Sequence, residues 1–235
     1  MSPFLGEFIG TMLLIIMGDG VVANVVLNKT KGNNGGWIVI AFGWAMAVFI
    51  GVYVSTSLGG SGHLNPAVTI AATAFNNFDP SLLTTYILAQ FGGAITGAII
   101  VWLAYKQHFD STDDKDGKLA VFCNAPAIRG YGYNLITEII GTFVLVFGAL
   151  AMSKPTSTLG TLDALPVGLL ILGIGLSLGG PTGYAINPAR DLGPRIAHFI
   201  LPIKNKRDSD WGYSWIPVVG PIIGGLIAVY LFKLI

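Results

Sequence analysis

The stretch INPARD, residues 186–191, sets an amide, a guanidinium and a carboxylate inside a very apolar part of the chain. Its Asn-Pro-Ala tripeptide occurs once more, in HLNPAVT, residues 63–69. Asn is a strong N-cap because its side-chain oxygen accepts a backbone N–H of the first helical turn. Pro suits the first helical position, where its missing N–H would have had no partner. Asn65-Pro66-Ala67 and Asn187-Pro188-Ala189 therefore each mark a helix start. The apolar segments they open, 66–75 and 188–201, are too short to cross a bilayer. Ten helical residues cover about 15 Å, roughly half of a hydrocarbon core of about 30 Å.

The rest of the chain supports lipid as the solvent. It has 235 residues, 53% hydrophobic and 11% charged, where a soluble domain carries about 25% charged residues. That polar fraction cannot coat a globule in water. A net charge of +1 gives no electrostatic reason to expect nucleic acid as a partner. The lone Cys123 cannot form an internal disulfide and reads as an inert small residue. The opening MSPFLGEFIG lacks a basic n-region, so its apolar run reads as a retained span rather than a signal peptide.

Six runs approach the roughly 20 apolar residues a spanning helix needs: 4–27, 37–58, 81–105, 135–151, 162–178 and 215–234. Between them lie polar stretches, the longest starting at residue 106 and carrying Asp110, Asp113, Asp114, Lys115, Asp116 and Lys118. It reads as a solvated loop. The chain also repeats itself. Its two glutamates are Glu7, in EFIGT, and Glu138, in EIIGT. Each stands near the start of a three-span group that holds one short Asn-Pro-Ala helix after its second span. The halves, approximately 1–105 and 134–235 joined by loop 106–133, read as a single domain of 235 residues. An odd number of spans per half turns the halves opposite ways across the membrane, with the short helices as the discontinuous elements of a midplane site. Glycines four apart (Gly6/Gly10, Gly93/Gly97, Gly175/Gly179, Gly220/Gly224) read as close helix–helix contacts.

In that arrangement two helix N-termini meet, each with roughly half a positive charge from its macrodipole. Together they repel cations. If each Asn oxygen serves as a cap, its NH2 remains a donor for an oxygen passing between the boxes. A water held by two such donors is a poor proton acceptor in a hydrogen-bonded wire. Positive half-helix ends and pore diameter are means of excluding protons and cations.

These features together, Glu7, Glu138, HLNPAVT, INPARD and the six-plus-two order, resemble the aquaporin or major intrinsic protein family over essentially the whole chain. The resemblance implies an all-α membrane fold of six spanning helices and two re-entrant half-helices, one pore per protomer, a homotetramer, and no cofactor. It implies that Glu7 and Glu138 brace the pore-lining loops. Arg190 matches the family's filter arginine. Asp191, within NPARDLGPR, is similar to the glycerol-conducting branch. Tyr184 and Gly175 match two further filter positions, the glycine leaving room where water-selective members carry histidine. For the second-span position Phe42 is favoured, with Trp44 as the alternative. His63 is a pore-lining candidate; no metal-ligand spacing surrounds it. His108 and His198 read as peripheral.

The resemblance thus implies a passive channel for glycerol, water and other small uncharged solutes, with dihydroxyacetone and undissociated lactic acid as further candidates on the strength of the Tyr184 hydroxyl. A water-selective channel is the first alternative and a secondary carrier the second. A proton-coupled carrier holds intramembrane carboxylates near its site, and here Asp19 alone has no assignment. No nucleophile–base set or cofactor motif points to an enzyme. The resemblance also implies a plasma-membrane protein with both termini cytoplasmic. Charge opposes that orientation, because Lys29, Lys31, Lys106, Lys115, Lys118, Arg129, Lys204, Lys206 and Arg207 then face outward, leaving only Lys154 and Lys233 inside.

Overall fold

A computed structural model describes residues 2–152 and 157–235, so Lys154 lies outside the described residues. Among these the chain is helical without strands. The helices are α1 Pro3–Val26, α2 Trp37–Ser57, α3 Pro66–Ala74, α4 Leu83–Ala104, α5 Lys106–Ser111, α6 Lys115–Ala120, α7 Tyr131–Ala151, α8 Leu165–Leu178, α9 Pro188–Ile200 and α10 Ile216–Leu234. Six helical stretches of 19 to 25 residues are long and apolar enough to cross a membrane. The half-helices α3 and α9 have 9 and 13 residues.

Local chemistry sets the ends. Ser2 caps α1 by accepting the Leu5 N–H, with Pro3 in the first turn. Asp79 caps the 3-10 turn Pro80–Leu82 that leads into α4, accepting the Ser81 N–H at 2.9 Å. That bond holds its carboxyl below the usual carboxylate range. Helix α7 begins four residues before its apolar run. Asn134 stitches the polar start together, accepting the Gly130 N–H and donating to the Ile128 carbonyl.

The segment between the halves differs from the solvated loop expected of it. It contains α5 and α6, and Phe109, Leu119 and Phe122 are fully buried. Some of its charges are paired: Lys106 with Asp110, and Asp116 with Arg207. Lys118 is buried and donates to the Lys204 carbonyl at 2.6 Å. Apolar anchors spaced between the charges pin this segment onto the end of the bundle.

The helix contacts of one half recur in the other. Helix α1 packs on α2 and α4, and α7 packs on α8 and α10. Each half-helix lies against the last span of the opposite half, α3 on α10 and α9 on α4. The closest contacts match as well. A Cβ on Gly93 would lie 2.3 Å from the Phe8 carbonyl oxygen, and one on Gly224 would lie 2.3 Å from that of Ile139. Small residues at these crossings let backbones touch. The pair Gly175/Gly179 is different: both face the ring of Tyr184, and Gly179 also meets the Trp37 side chain of α2.

Candidate functional site

The two Asn-Pro-Ala boxes meet and are tied to each other. Asn65 Oδ1 accepts the Ala67 N–H at 2.9 Å, and Asn187 Oδ1 accepts those of Ala189 and Arg190 at 3.0 and 3.2 Å. The free NH2 groups do not both point wholly into open space. Asn65 Nδ2 donates to the Ile186 carbonyl at 2.8 Å, and Asn187 Nδ2 to the Leu64 carbonyl at 2.9 Å. Each amide thus spends one hydrogen on locking the opposite box and keeps one free.

The loops before the boxes are held by the two glutamates. Glu7 accepts from the backbone of His63 and Leu64, and from Ser55 Oγ and Gln90 Nε2, at 2.8 to 3.0 Å. Glu138 accepts from the backbone of Ala185 and Ile186 and from Thr182 Oγ1 at 2.6 Å. Leu64 and Ile186 stand at φ 53° and 43°, a region that bulky residues rarely occupy. A glutamate on the N–H and an asparagine on the C=O pin each of them from both sides, which is what sustains such a conformation. Gln90, Thr182 and Ser55 escaped the sequence reading; Gln90 alone carried a signal, a lone amide in an apolar run.

A cavity of about 310 Å³ runs past these loops. Its polar wall carries His63, Asn65, Asn187 and Arg190, and its apolar walls combine aliphatic Leu14, Val48, Val52 and Ile171 with aromatic Trp44, Phe75 and Tyr184. Pro66, Ala67, Pro188 and Ala189 are buried behind the asparagines as the first turns of α3 and α9. His63 Nδ1 lies 3.2 Å from Thr69 Oγ1, and its ring packs on Phe78 and Tyr86.

Phe42 does not reach the cavity. It is 52% exposed on the outside of α2, whereas Trp44 lines the cavity and is 4% exposed. The Arg190 guanidinium stacks on the Trp44 ring at 4.0 Å. Gly175 also departs from expectation. The room it leaves is filled by Tyr184, whose Cζ would be 2.9 Å from a Cβ at Gly175. The Gly175 carbonyl is taken by Trp37 Nε1 at 2.9 Å, and the Trp37 ring meets Tyr184 edge-on. Of the expected filter positions, Trp44, Tyr184 and Arg190 line the cavity, and Phe42 and Gly175 do not. The Tyr184 hydroxyl is buried with no hydrogen-bond partner.

Asp191 lies behind the cavity. It is fully buried, paired with Arg195 at 2.8 Å, and accepts the Asn124 N–H at 2.7 Å. Arg195 in turn donates to the carbonyls of Asn124, Ser209 and Asp210. This clamp fastens two connecting segments to α9. The first box has Val68 and Thr69 at the corresponding places and needs no charge, since Thr69 is met by Gln90. His198 is fully buried against Ser209, so it is internal rather than peripheral, though outside the cavity.

Comparison with known proteins bears on the fold and the family. The chain is 59% identical over 233 residues to a probable glycerol uptake facilitator protein of Thermotoga maritima, covering 99% of each. It is 53% identical over 234 residues to a glycerol uptake facilitator protein of Streptococcus pneumoniae, covering 100% of this chain and 99% of the other. The solved aquaglyceroporin of Plasmodium falciparum superposes with a TM-score of 0.84 at 33% identity, covering 98% of this chain and 94% of the other. The family profile described as Major intrinsic protein matches residues 1–232, and the chain is a multi-pass membrane protein belonging to that family.

Proposed function

We propose that the cavity is a passive channel for glycerol and other small uncharged solutes, water included, and that it excludes ions and protons. The observation that carries this is the wall of Trp44, Tyr184 and Arg190 leading into a lumen with aliphatic sides and the two box asparagines. Aromatic and aliphatic faces cover a carbon backbone, while the guanidinium and amide N–H groups donate to hydroxyl oxygens. Two half-helix N-termini at the boxes oppose cations. The support from relatives is that proteins 53–59% identical carry the description glycerol uptake facilitator.

Stopped-flow light scattering on proteoliposomes tests this with water, glycerol, dihydroxyacetone and lactic acid. Glycerol should enter far faster than into empty vesicles. Lactic acid flux should rise as pH falls, because only the uncharged acid passes. Water flux without glycerol flux would sink the proposal. Saturation at low millimolar glycerol with counterflow would replace the channel by a carrier.

Tyr184→Phe is expected to leave the ranking of these solutes unchanged, since the buried hydroxyl does not reach the lumen. A changed ranking in the same assay would show the hydroxyl turning inward. We infer further that the protein is a homotetramer in the plasma membrane with both termini cytoplasmic, supported by family membership. Protease protection of a terminal tag in right-side-out vesicles tests the orientation; cleavage without lysis would reverse it.

A further inference from the structure

Most buried charges of the described residues have evident partners. Glu7 and Glu138 are ringed by donors, Asp191 pairs with Arg195, Asp210 with Arg129, and Lys118 rests on a carbonyl. Asp19 and Arg190 differ. Asp19 is fully buried in α1, and neither of its carboxylate oxygens has a hydrogen-bond partner. Arg190 is 6% exposed, and its Nη1 is buried without an acceptor.

The packing links their two segments through one indole. Gly18, next to Asp19, has no side chain, and the Trp44 indole fills that space; a Cβ there would lie 2.2 Å from the ring. Arg190 stacks on the same indole. The charges whose fields reach Asp19 most strongly are those of Arg190 and Asp191, neither in hydrogen-bond contact with it, and Asp191 is already engaged by Arg195. Helices α2 and α4, packed along α1, contain no Asp, Glu, Lys, Arg or His, and of the charges on α6, which also touches α1, Lys118 is held by the Lys204 carbonyl and Asp116 by Arg207. An ionisable residue in such surroundings marks function, with its partner the nearest opposite charge.

We propose that Asp19 is the counter-charge of Arg190, a positioning residue that sets selectivity through it. Its carboxylate, across one bridging water molecule, holds Nη1, keeps the guanidinium flat on Trp44 and reduces the positive field at the constriction. This rests on the channel reading of Arg190.

The test is a double-mutant cycle in proteoliposomes, with glycerol and water fluxes normalised to incorporated protein. Asp19→Asn keeps the shape and removes the charge. It should free the guanidinium into the lumen and lower the glycerol-to-water flux ratio by about threefold or more. Asp19→Glu should restore much of the ratio. In an Arg190→Ala background, Asp19→Asn should change nothing further. If Asp19→Asn fails to fold, the double variant should fold, because no uncompensated guanidinium remains. A wild-type ratio in Asp19→Asn, an equal drop in both backgrounds, or a misfolded double variant would overturn the proposal. Wild-type vesicles without glycerol flux would refute the channel reading instead, and the same cycle read on water flux would then test Asp19 alone.

Discussion

Replacing Asp191 by Asn is expected to destabilise the protein by about 3–5 kcal/mol, the usual result of removing one partner of a buried ion pair. Both side chains of the Asp191–Arg195 pair are fully buried. The asparagine would keep the shape, but Arg195 would retain its charge with only carbonyls of Asn124, Ser209 and Asp210 to meet it. The Asn124 N–H would also lose a charged acceptor. Because the clamp fastens two connecting segments to the start of α9, the damage should extend to the neighbouring Arg190 and lower solute flux. Denaturant unfolding in detergent measures the loss. The double variant Asp191→Asn/Arg195→Met should recover most of it, since an apolar side chain of similar length leaves no stranded charge. A single variant as stable as the wild type would remove the clamp from the account. The pair thus has a structural reason to accompany the second box and not the first, where Val68 and Thr69 need no such tether.

What could be read from the chain depended on how local its cause is. Asn-Pro at a helix start is a matter of one turn, so both half-helices were visible, and span length follows from lipid thickness. The inward face of α2 was not visible. Phe42 and Trp44 are two residues apart, roughly 200° around a helix, so one must face inward and the other outward. In lipid both faces are apolar, and periodicity then carries no phase. The structure puts Trp44 inside and Phe42 outside. At Gly175 the missing side chain was legible, but its occupant was not, because Tyr184 arrives from a separate loop through a left-handed backbone turn. Asp19 stood out as an acid in an apolar span; its relation to Arg190 exists only once α1, α2 and α9 are packed. The connecting segment misled in the opposite sense, its charges hiding the buried Phe109, Leu119 and Phe122.

Gly175→Val should close the path to glycerol. Its Cβ would stand 2.9 Å from Tyr184 Cζ and 3.0 Å from the hydroxyl oxygen, well inside normal contact. The ring has no retreat on that side. Gly179 already touches its Cδ1 edge, where a Cβ would lie 2.5 Å away, and Trp37 packs edge-on against it while bonded to the Gly175 carbonyl. The way left open is toward Arg190 and Trp44, into the lumen. Overpacking of this kind costs about 1–3 kcal/mol. A constriction narrowed by part of a ring should raise the barrier for glycerol by more than about 1.4 kcal/mol, a tenfold fall in flux. Water, being smaller, should lose less. Adding Tyr184→Leu to Gly175→Val removes the ring that was pushed inward and should restore glycerol entry. Flux measurements on the single and double variants decide the matter. Wild-type glycerol flux in Gly175→Val, or no recovery in a well-folded double variant, would show that Tyr184 does not bound the constriction, and that the glycine serves only the packing of α8.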